Sequence, residues 1–193
     1  GSGWTRTDLN EAVYAYDPIT GQYSSYVNGI SLGSLDGTIA STQAFWVKSE
    51  SGSPSMTLGE ASKVNTVGVH MRAEDLNTQT VIRIELEGAN GTDQTVIGFN
   101  TQSTAGFDTG YDAYKFYAPN ANKPNLASVA EQTEDAANEM GVNMIPTPEE
   151  ELEIDLIVKK GNNTEMSLSN VLVDTYDENI CLVLEDKELE TFV

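Results

Sequence analysis

TVIRIELEG, residues 80–88, alternates apolar and polar side chains along its length. Ile82, Ile84 and Leu86 are separated by charged residues, and a period of two is typical of a strand with one face in the core and the other in solvent. The stretch therefore predicts a β-strand, and its pattern decides the fold class if it recurs.

The same alternation recurs in residues 66–73, 151–161 and 178–186, and each of these stretches ends in Gly, Asn or Asp turn chemistry. Such punctuation favours antiparallel neighbours over parallel strands joined by helices. The side chains expected to face inward are Val67, Val69 and Met71; Leu152, Ile154, Leu156 and Val158; and Ile180, Leu182 and Leu184.

Two further stretches near the start of the chain are extended in pattern. Residues 12–27 predict a hairpin, because Asp17-Pro18-Ile19-Thr20-Gly21 supplies a turn proline and a glycine able to take a positive φ. Residues 37–50 predict a second extended run.

Residues 126–141 are the one helix candidate, since their apolar side chains recur at spacings of three, four and seven. An acidic loop fits this stretch equally well. We therefore predict an all-β protein, an antiparallel β-sandwich or jelly roll with at most one short helix. Residues 1–193 form one module, and the pattern leaves open whether residues 1–60 form a sub-lobe beside a main sandwich of residues 61–193.

Composition excludes several classes of function. The 193 residues carry 30 acidic and 10 basic side chains, a net charge of −20, which disfavours binding to the phosphate backbone of nucleic acids. Apolar runs reach only four or five residues, too short for membrane insertion. Cys181 is the single cysteine and, within an apolar run, is expected to be a buried and inert thiol.

GFDTGYDAYKF, residues 106–116, contains Asp108-Thr109-Gly110, the triplet that is typical of aspartic proteases. That chemistry needs two such loops sharing a proton, and the chain has a single one, followed by Tyr111. Asp108 and Asp112 could instead bind calcium, as could Asp93 or Asp36. The alternative is a turn in which Asp108 accepts backbone N–H groups, Gly110 takes a positive φ, Asp112 caps the next strand and Lys115 pairs with one of these carboxylates.

The chain has few other residues that are candidates for catalysis. His70 is the single histidine and alternates onto the polar side of its predicted strand, so we expect a surface side chain and not a base. One histidine and one cysteine also disfavour zinc. The chain is therefore predicted to be no enzyme and to hold no certain cofactor, with calcium at Asp108 and Asp112 as the one metal candidate.

Carbohydrate binding is indicated by aromatic side chains. Tyr14 and Tyr16 share one strand face, and Trp46 faces away from Phe45 and Val47, so these three rings are candidate stacking platforms for sugars. The alternative is that the same rings cover the end of the core.

Four stretches, taken in order, resemble a β-rich region of secreted and surface proteins of the Bacteroidetes that precedes the C-terminal sorting domain of type IX secretion. The matching positions are Gly3-Trp4; Tyr16, Asp17, Pro18, Thr20, Gly21 and Tyr23; Ile39, Ala40, Gln43, Phe45, Trp46 and Val47; and Phe107, Asp108, Tyr111, Asp112, Ala113 and Lys115. The Asn-Pro-Tyr-Pro stretch that usually precedes the Gly-Trp is missing, and the chain stops before a sorting domain would begin.

The resemblance implies a fragment of a larger protein that is exported to the cell surface or the exterior of a Gram-negative bacterium, and it implies no catalytic activity. We expect a non-catalytic structural or adhesive module that contacts neighbouring modules or copies of itself. The alternative is a carbohydrate-binding accessory module of a polysaccharide-degrading enzyme, with extracellular glycans as partners.

Overall fold

The computed structural model describes residues 3–65, 81–131, 139–148, 151–172, 181–187 and 190–192. Within these ranges the protein is all-β, as predicted, and its helical content is one 3-10 turn at Glu60–Ser62. The strands are β1 (Trp4–Thr7), β2 (Leu9–Asp17), β3 (Gln22–Val27), β4 (Ile30–Leu32), β5 (Trp46–Ser49), β6 (Ser55–Leu58), β7 (Val81–Gly88), β8 (Gly91–Phe99), β9 (Ala113–Tyr114), β10 (Asn125–Val129), β11 (Glu139–Ile145), β12 (Leu156–Lys159), β13 (Met166–Leu172), β14 (Glu185–Asp186) and β15 (Thr191–Phe192).

Two sheets form the sandwich. The smaller sheet has the order β4-β3-β2-β5, and the larger has the order β12-β10-β11-β8-β7-β13 with β9 added against β11. The pairs are antiparallel except for β8 and β11, which run parallel. The prediction of antiparallel neighbours is therefore wrong at this one pair, because β9 and β10 lie between β8 and β11 in the sequence and the two strands are not joined by a hairpin. Two small ribbons, β1-β6 and β14-β15, complete the described strands.

The predicted hairpin is confirmed as β2 and β3. Asp17 Oδ1 accepts the N–H of Ile19 at 2.8 Å, the N–H of Gly21 donates to the carbonyl of Asp17 at 2.8 Å, and Gly21 has a φ of 71°. This four-residue turn sets Tyr16 opposite Tyr23 in the strand register. The turn chemistry read from the sequence therefore places two aromatic side chains side by side on one face.

The main core lies between the two sheets. Its apolar side chains come from the inner face of the smaller sheet and from β7, β8, β9 and β11 of the larger one: Ala12, Tyr14, Val27, Ile30, Leu32, Val81, Val96, Ala113, Val142 and Met144. A second cluster lies on the outer face of the smaller sheet, where Val13, Ala15 and Leu35 pack with Trp4 and Phe45. Residues 1–60 thus share the main core and also have a cluster of their own, and their division into a sub-lobe stays a prediction.

Several local predictions are wrong. Residues 125–129 and 139–145 are strands β10 and β11, so the helix proposed over 126–141 does not form at either end. Residues 181–184 are irregular, and Cys181 is exposed where a buried thiol was expected. Leu152 and Val158 are 47% and 42% exposed. The sequence does alternate in residues 151–161 and 178–186, but burial of one face of a strand also requires a second layer to cover that face.

Arg83 is a further correction, because the alternation of β7 assigned it to the solvent face. It is 8% exposed, and its Nη1 donates to the carbonyl of Ser31 at 2.7 Å, so it joins β7 of the larger sheet to β4 of the smaller. Strand β7 itself is confirmed, as are the buried Ile82 and Leu86. The stretch 66–73, with His70, lies outside the described residues.

A buried ion pair joins the segment after β9 to β8. The ammonium of Lys115 lies 2.7 Å and 2.6 Å from the two carboxylate oxygens of Asp93 and donates to the carbonyl of Gln94 at 2.9 Å. The N–H of Leu126 in β10 donates to Asp93 Oδ2 at 2.7 Å. Burial lowers the pKa of Lys115 and the Asp93 carboxylate opposes that shift. Charges removed from water in this way need such partners, so the pair ties β8 and β10 to the segment after β9.

Replacing Lys115 with Met should lower the free energy of unfolding by about 3–5 kcal/mol, because the carboxylate of Asp93 is left buried without its cation. Urea denaturation measures this loss. The matched control is Lys63→Met, since Lys63 and Glu60 form an exposed pair with side chains 73% and 86% accessible, and its effect should stay within about 0.5 kcal/mol. A loss for Lys115→Met as small as that of the control would contradict this role.

Candidate functional site

The segment of residues 104–117, called here the anchor segment, begins with a tight turn. The N–H groups of Tyr111 and Asp112 both donate to the carbonyl of Asp108, at 3.0 Å and 2.9 Å. Asp108 Oδ2 accepts the N–H of Thr104 at 2.5 Å and its hydroxyl at 3.1 Å. The predicted role of Asp108 in a turn is confirmed, but Gly110 does not take a positive φ, so its conformational freedom is not what the turn requires.

Asp112 fastens this turn to the larger sheet. Its side chain is fully buried, Oδ2 accepts the N–H of Asp108 at 2.6 Å, and Oδ1 accepts the N–H of Met144 in β11 at 2.7 Å. Burial raises the pKa of Asp112 to about 7, although both hydrogen bonds act in the opposite direction. Asp112 was predicted to cap the next strand, but its carboxylate bonds the preceding turn and β11 instead. The predicted pairing of Lys115 with Asp108 or Asp112 is also wrong, because Lys115 binds Asp93.

The anchor segment also contacts the smaller sheet. The N–H of Tyr114 donates to the hydroxyl oxygen of Tyr14 at 3.0 Å, and the hydroxyl of Thr109 donates to the carboxylate of Glu50 at 3.0 Å. The ammonium of Lys48 in β5 lies 3.1 Å from the centre of the Tyr114 ring, a cation–π contact. The segment is therefore held by both layers of the sandwich.

These contacts hold an aromatic cluster, defined as Tyr14, Tyr16, Tyr23, Trp46 and Phe116. Tyr23 is its centre: its ring lies edge-on to Tyr16, Trp46 and Phe116, with centroids 5.4, 5.3 and 5.5 Å away. Edge-to-face packing at these separations is a favourable geometry for aromatic rings. The cluster is consequently a fixed arrangement of side chains from β2, β3, β5 and the anchor segment.

The three rings predicted as sugar platforms differ in exposure. Trp46 is 41% exposed and Tyr16 is half-buried, so both present ring surface to solvent. Tyr14 is 1% exposed and stacks on Phe116 at 4.1 Å with an interplanar angle of 1°. Tyr14 therefore cannot be a platform; it packs against Phe116, which in turn contacts Tyr23. Burial also raises its pKa.

A cleft of about 210 Å³ opens beside Tyr23, between the smaller sheet and the start of β8. This inter-sheet cleft is lined by the β2-β3 turn, by β3, by residues 32–34 and by Thr92, Asp93 and Gln94. The lining combines apolar surface, to which Leu32 belongs, with polar side chains and with Tyr23. Such a combination of an aromatic surface with several hydrogen-bonding groups is typical of sites for small polar ligands.

Gln22 is a notable member of the cleft lining. Its Nε2 donates to the carbonyls of Thr92 and Pro124, both at 3.0 Å, which fixes the orientation of its amide. Its Oε1 is buried and accepts no hydrogen bond from the described residues. A buried acceptor without a donor is costly, so this amide has unused hydrogen-bonding capacity at the cleft.

Comparisons with known proteins find no matching family model, no matching curated protein and no matching solved structure. The residues that the structure describes contain no group of three or more His, Cys, Asp or Glu side chains able to hold a metal ion. Over the same residues, no helix is long and apolar enough to cross a membrane.

Two members of the cluster, Tyr23 and Phe116, were missed by the sequence prediction. The position of Tyr23 could have been predicted from the sequence, because the hairpin turn between Asp17 and Gln22 sets it opposite Tyr16. The position of Phe116 could not have been predicted, since its stacking on Tyr14 joins positions about a hundred residues apart through the tertiary fold. Asp36, an alternative calcium ligand, accepts the N–H of Thr38 at 2.8 Å in a local turn.

The buried Asp112 predicts a specific pH dependence. Its pKa in the folded state, about 7, lies above the ordinary value of 3.8, so the folded protein binds this proton more tightly than the unfolded chain. The resulting stability is fully present below about pH 4 and is lost as the pH rises through about 7. Asp112→Asn removes this titration, so the wild type should lose stability relative to the variant over that range.

Urea denaturation of both proteins at several pH values measures this difference, and the other acidic groups, which both proteins share, largely cancel. A difference in unfolding free energy that stays constant between pH 4 and pH 8 would contradict the assignment to Asp112.

Calcium at Asp108 and Asp112 stays a prediction with a direct test. Both carboxylates already accept backbone N–H groups, and a bound cation would have to displace these donors. We therefore expect the melting temperature in millimolar calcium to match that in chelator. A rise that follows mass action with calcium concentration and disappears in Asp108→Asn would establish the calcium site instead.

Proposed function

We propose that this chain is a non-catalytic β-sandwich module of a secreted or surface-attached bacterial protein, with a structural or adhesive role. The observation that carries the proposal is the aromatic cluster, which is rigidly supported from below and open to solvent at Trp46. Exposed aromatic rings in a fixed setting are the usual anchors of binding surfaces. Neighbouring modules or copies of the same chain are its proposed partners.

The carboxylates of the Asp-Thr-Gly region support the non-catalytic part of this proposal. Asp112 is fully buried and both of its oxygens accept backbone N–H groups, and Asp108 is bonded to Thr104. A catalytic carboxylate pair must instead face a substrate and share a proton or a water. The secreted location is supported by the family resemblance and by the strongly acidic composition.

A second candidate function is a carbohydrate-binding accessory module of a polysaccharide-degrading enzyme. It is favoured by one further observation, the inter-sheet cleft beside Tyr23, whose lining has both apolar surface and hydrogen-bonding side chains. Sugars offer an apolar ring face together with several hydroxyl groups, and this cleft presents a complementary ring and hydrogen-bonding groups.

Sedimentation velocity over a wide range of protein concentration, together with affinity electrophoresis in soluble polysaccharides, tests these functions. A structural or adhesive module should self-associate, and Trp46→Ala should weaken that association by about tenfold or more. The matched control is Leu58→Ala, which removes a 49% exposed apolar side chain from β6, outside the cluster. Release of new reducing ends from any polysaccharide would contradict the non-catalytic assignment. A monomer that no polysaccharide retards would contradict both candidates.

A further inference from the structure

We infer that the inter-sheet cleft binds one unit of a neutral glycan, with Tyr23 as its stacking ring; this inference rests on the second candidate function. The inter-sheet cleft is thereby the proposed position of carbohydrate binding, and neutral glycans are the proposed class of ligand. The volume of about 210 Å³ lies below the range of roughly 300–1,000 Å³ typical of sites for drug-sized ligands. A single sugar ring is therefore a better match to the cleft than a larger cofactor.

The hydrogen-bonding groups of the cleft match a sugar because they are mixed in type, with hydroxyl and amide groups in one lining. Among the described residues, Gln22 Oε1 accepts no hydrogen bond, and Tyr23, Thr92 and Gln94 also belong to the lining. The ring of Tyr23 supplies a flat apolar surface beside them. Sugar hydroxyls both donate and accept, so they can satisfy hydroxyl and amide groups that lie close together.

Neutrality of the ligand follows from the charges at the cleft. Asp17 belongs to the lining, and its carboxylate accepts the N–H of Ile19 and the hydroxyl of Ser34. In the described part of the chain, two ammonium groups lie near the lining, and each has a protein partner: that of Lys115 binds Asp93 inside the protein, and that of Lys123 donates to the carbonyl of Thr20 at 2.6 Å. The chain as a whole carries a net charge of −20. Uronic acids and sulfated sugars would therefore enter against electrostatic repulsion.

A longer glycan has a second ring available outside the cleft. The Trp46 ring is 41% exposed and its centroid is 5.3 Å from that of Tyr23. A unit next to the one in the cleft can therefore contact Trp46. The arrangement favours oligosaccharides over free monosaccharides, because two linked contacts add to the affinity.

Calorimetric titration tests this inference with neutral oligosaccharides derived from β-glucan, xylan, mannan and galactan, and with oligogalacturonate and oligoalginate as the anionic comparison. At least one neutral series should bind, and the anionic series should not. Tyr23→Ala should weaken binding by about tenfold, equivalent to roughly 1.4 kcal/mol, whereas Tyr23→Phe should bind within about threefold of the wild type.

Because Tyr23→Ala also removes packing from the cluster, a second variant blocks the cleft without removing any core contact. Thr92 is exposed at the cleft, so Thr92→Trp should abolish binding and leave the melting temperature unchanged, while Leu58→Ala should bind normally. Binding that survives both Tyr23→Ala and Thr92→Trp, or binding of the anionic series alone, would overturn the inference. Absence of binding to every series would overturn it too. Self-association in that same protein would leave the structural or adhesive function standing.

Discussion

The ion pair between Lys115 and Asp93 is the interaction on which the arrangement of this sandwich most depends. A fully buried ammonium and carboxylate are tolerated only with close mutual contact and further hydrogen bonds, and here the N–H of Leu126 and the carbonyl of Gln94 supply them. Because these groups come from β8, β10 and the anchor segment, the pair fixes where that segment lies on the larger sheet. Asp112, three residues before Lys115, also fixes the anchor segment on the larger sheet, because it accepts the N–H of Met144 in β11.

The aromatic cluster follows from this constraint. Phe116 is the neighbour of Lys115 in sequence, so fixing the ammonium also fixes the ring that stacks on Tyr14. Tyr14 in turn accepts the N–H of Tyr114, which closes a connection between the anchor segment and β2. Tyr23 packs edge-on against Phe116 and lines the inter-sheet cleft. A polar core interaction is thereby linked, contact by contact, to the surface proposed to bind a partner.

Much of the fold could be predicted from local sequence pattern. Strand β7 and the β2-β3 hairpin were predicted correctly because alternation and turn chemistry act over a few residues. Asn28-Gly29, with φ values of 46° and 87°, is a two-residue hairpin signal of the same local kind that was overlooked. The partner of Lys115 could not be found this way, because several carboxylates lie near it in sequence and only the tertiary fold selects Asp93. Likewise, alternation at 181–184 does not reveal whether another layer covers it.

The most direct test of the central claim, that buried side-chain acceptors fix the anchor segment to both sheets, is native-state hydrogen exchange of its loop amides. The N–H of Asp108 donates to the carboxylate of Asp112, which also accepts the N–H of Met144 in β11. The N–H of Tyr114 donates to the hydroxyl oxygen of Tyr14 in β2. We expect the N–H groups of Asp108 and Tyr114 to exchange as slowly as core amides such as that of Val96, through global unfolding. Exchange as fast as that of the exposed turn amide of Ile19 would contradict it.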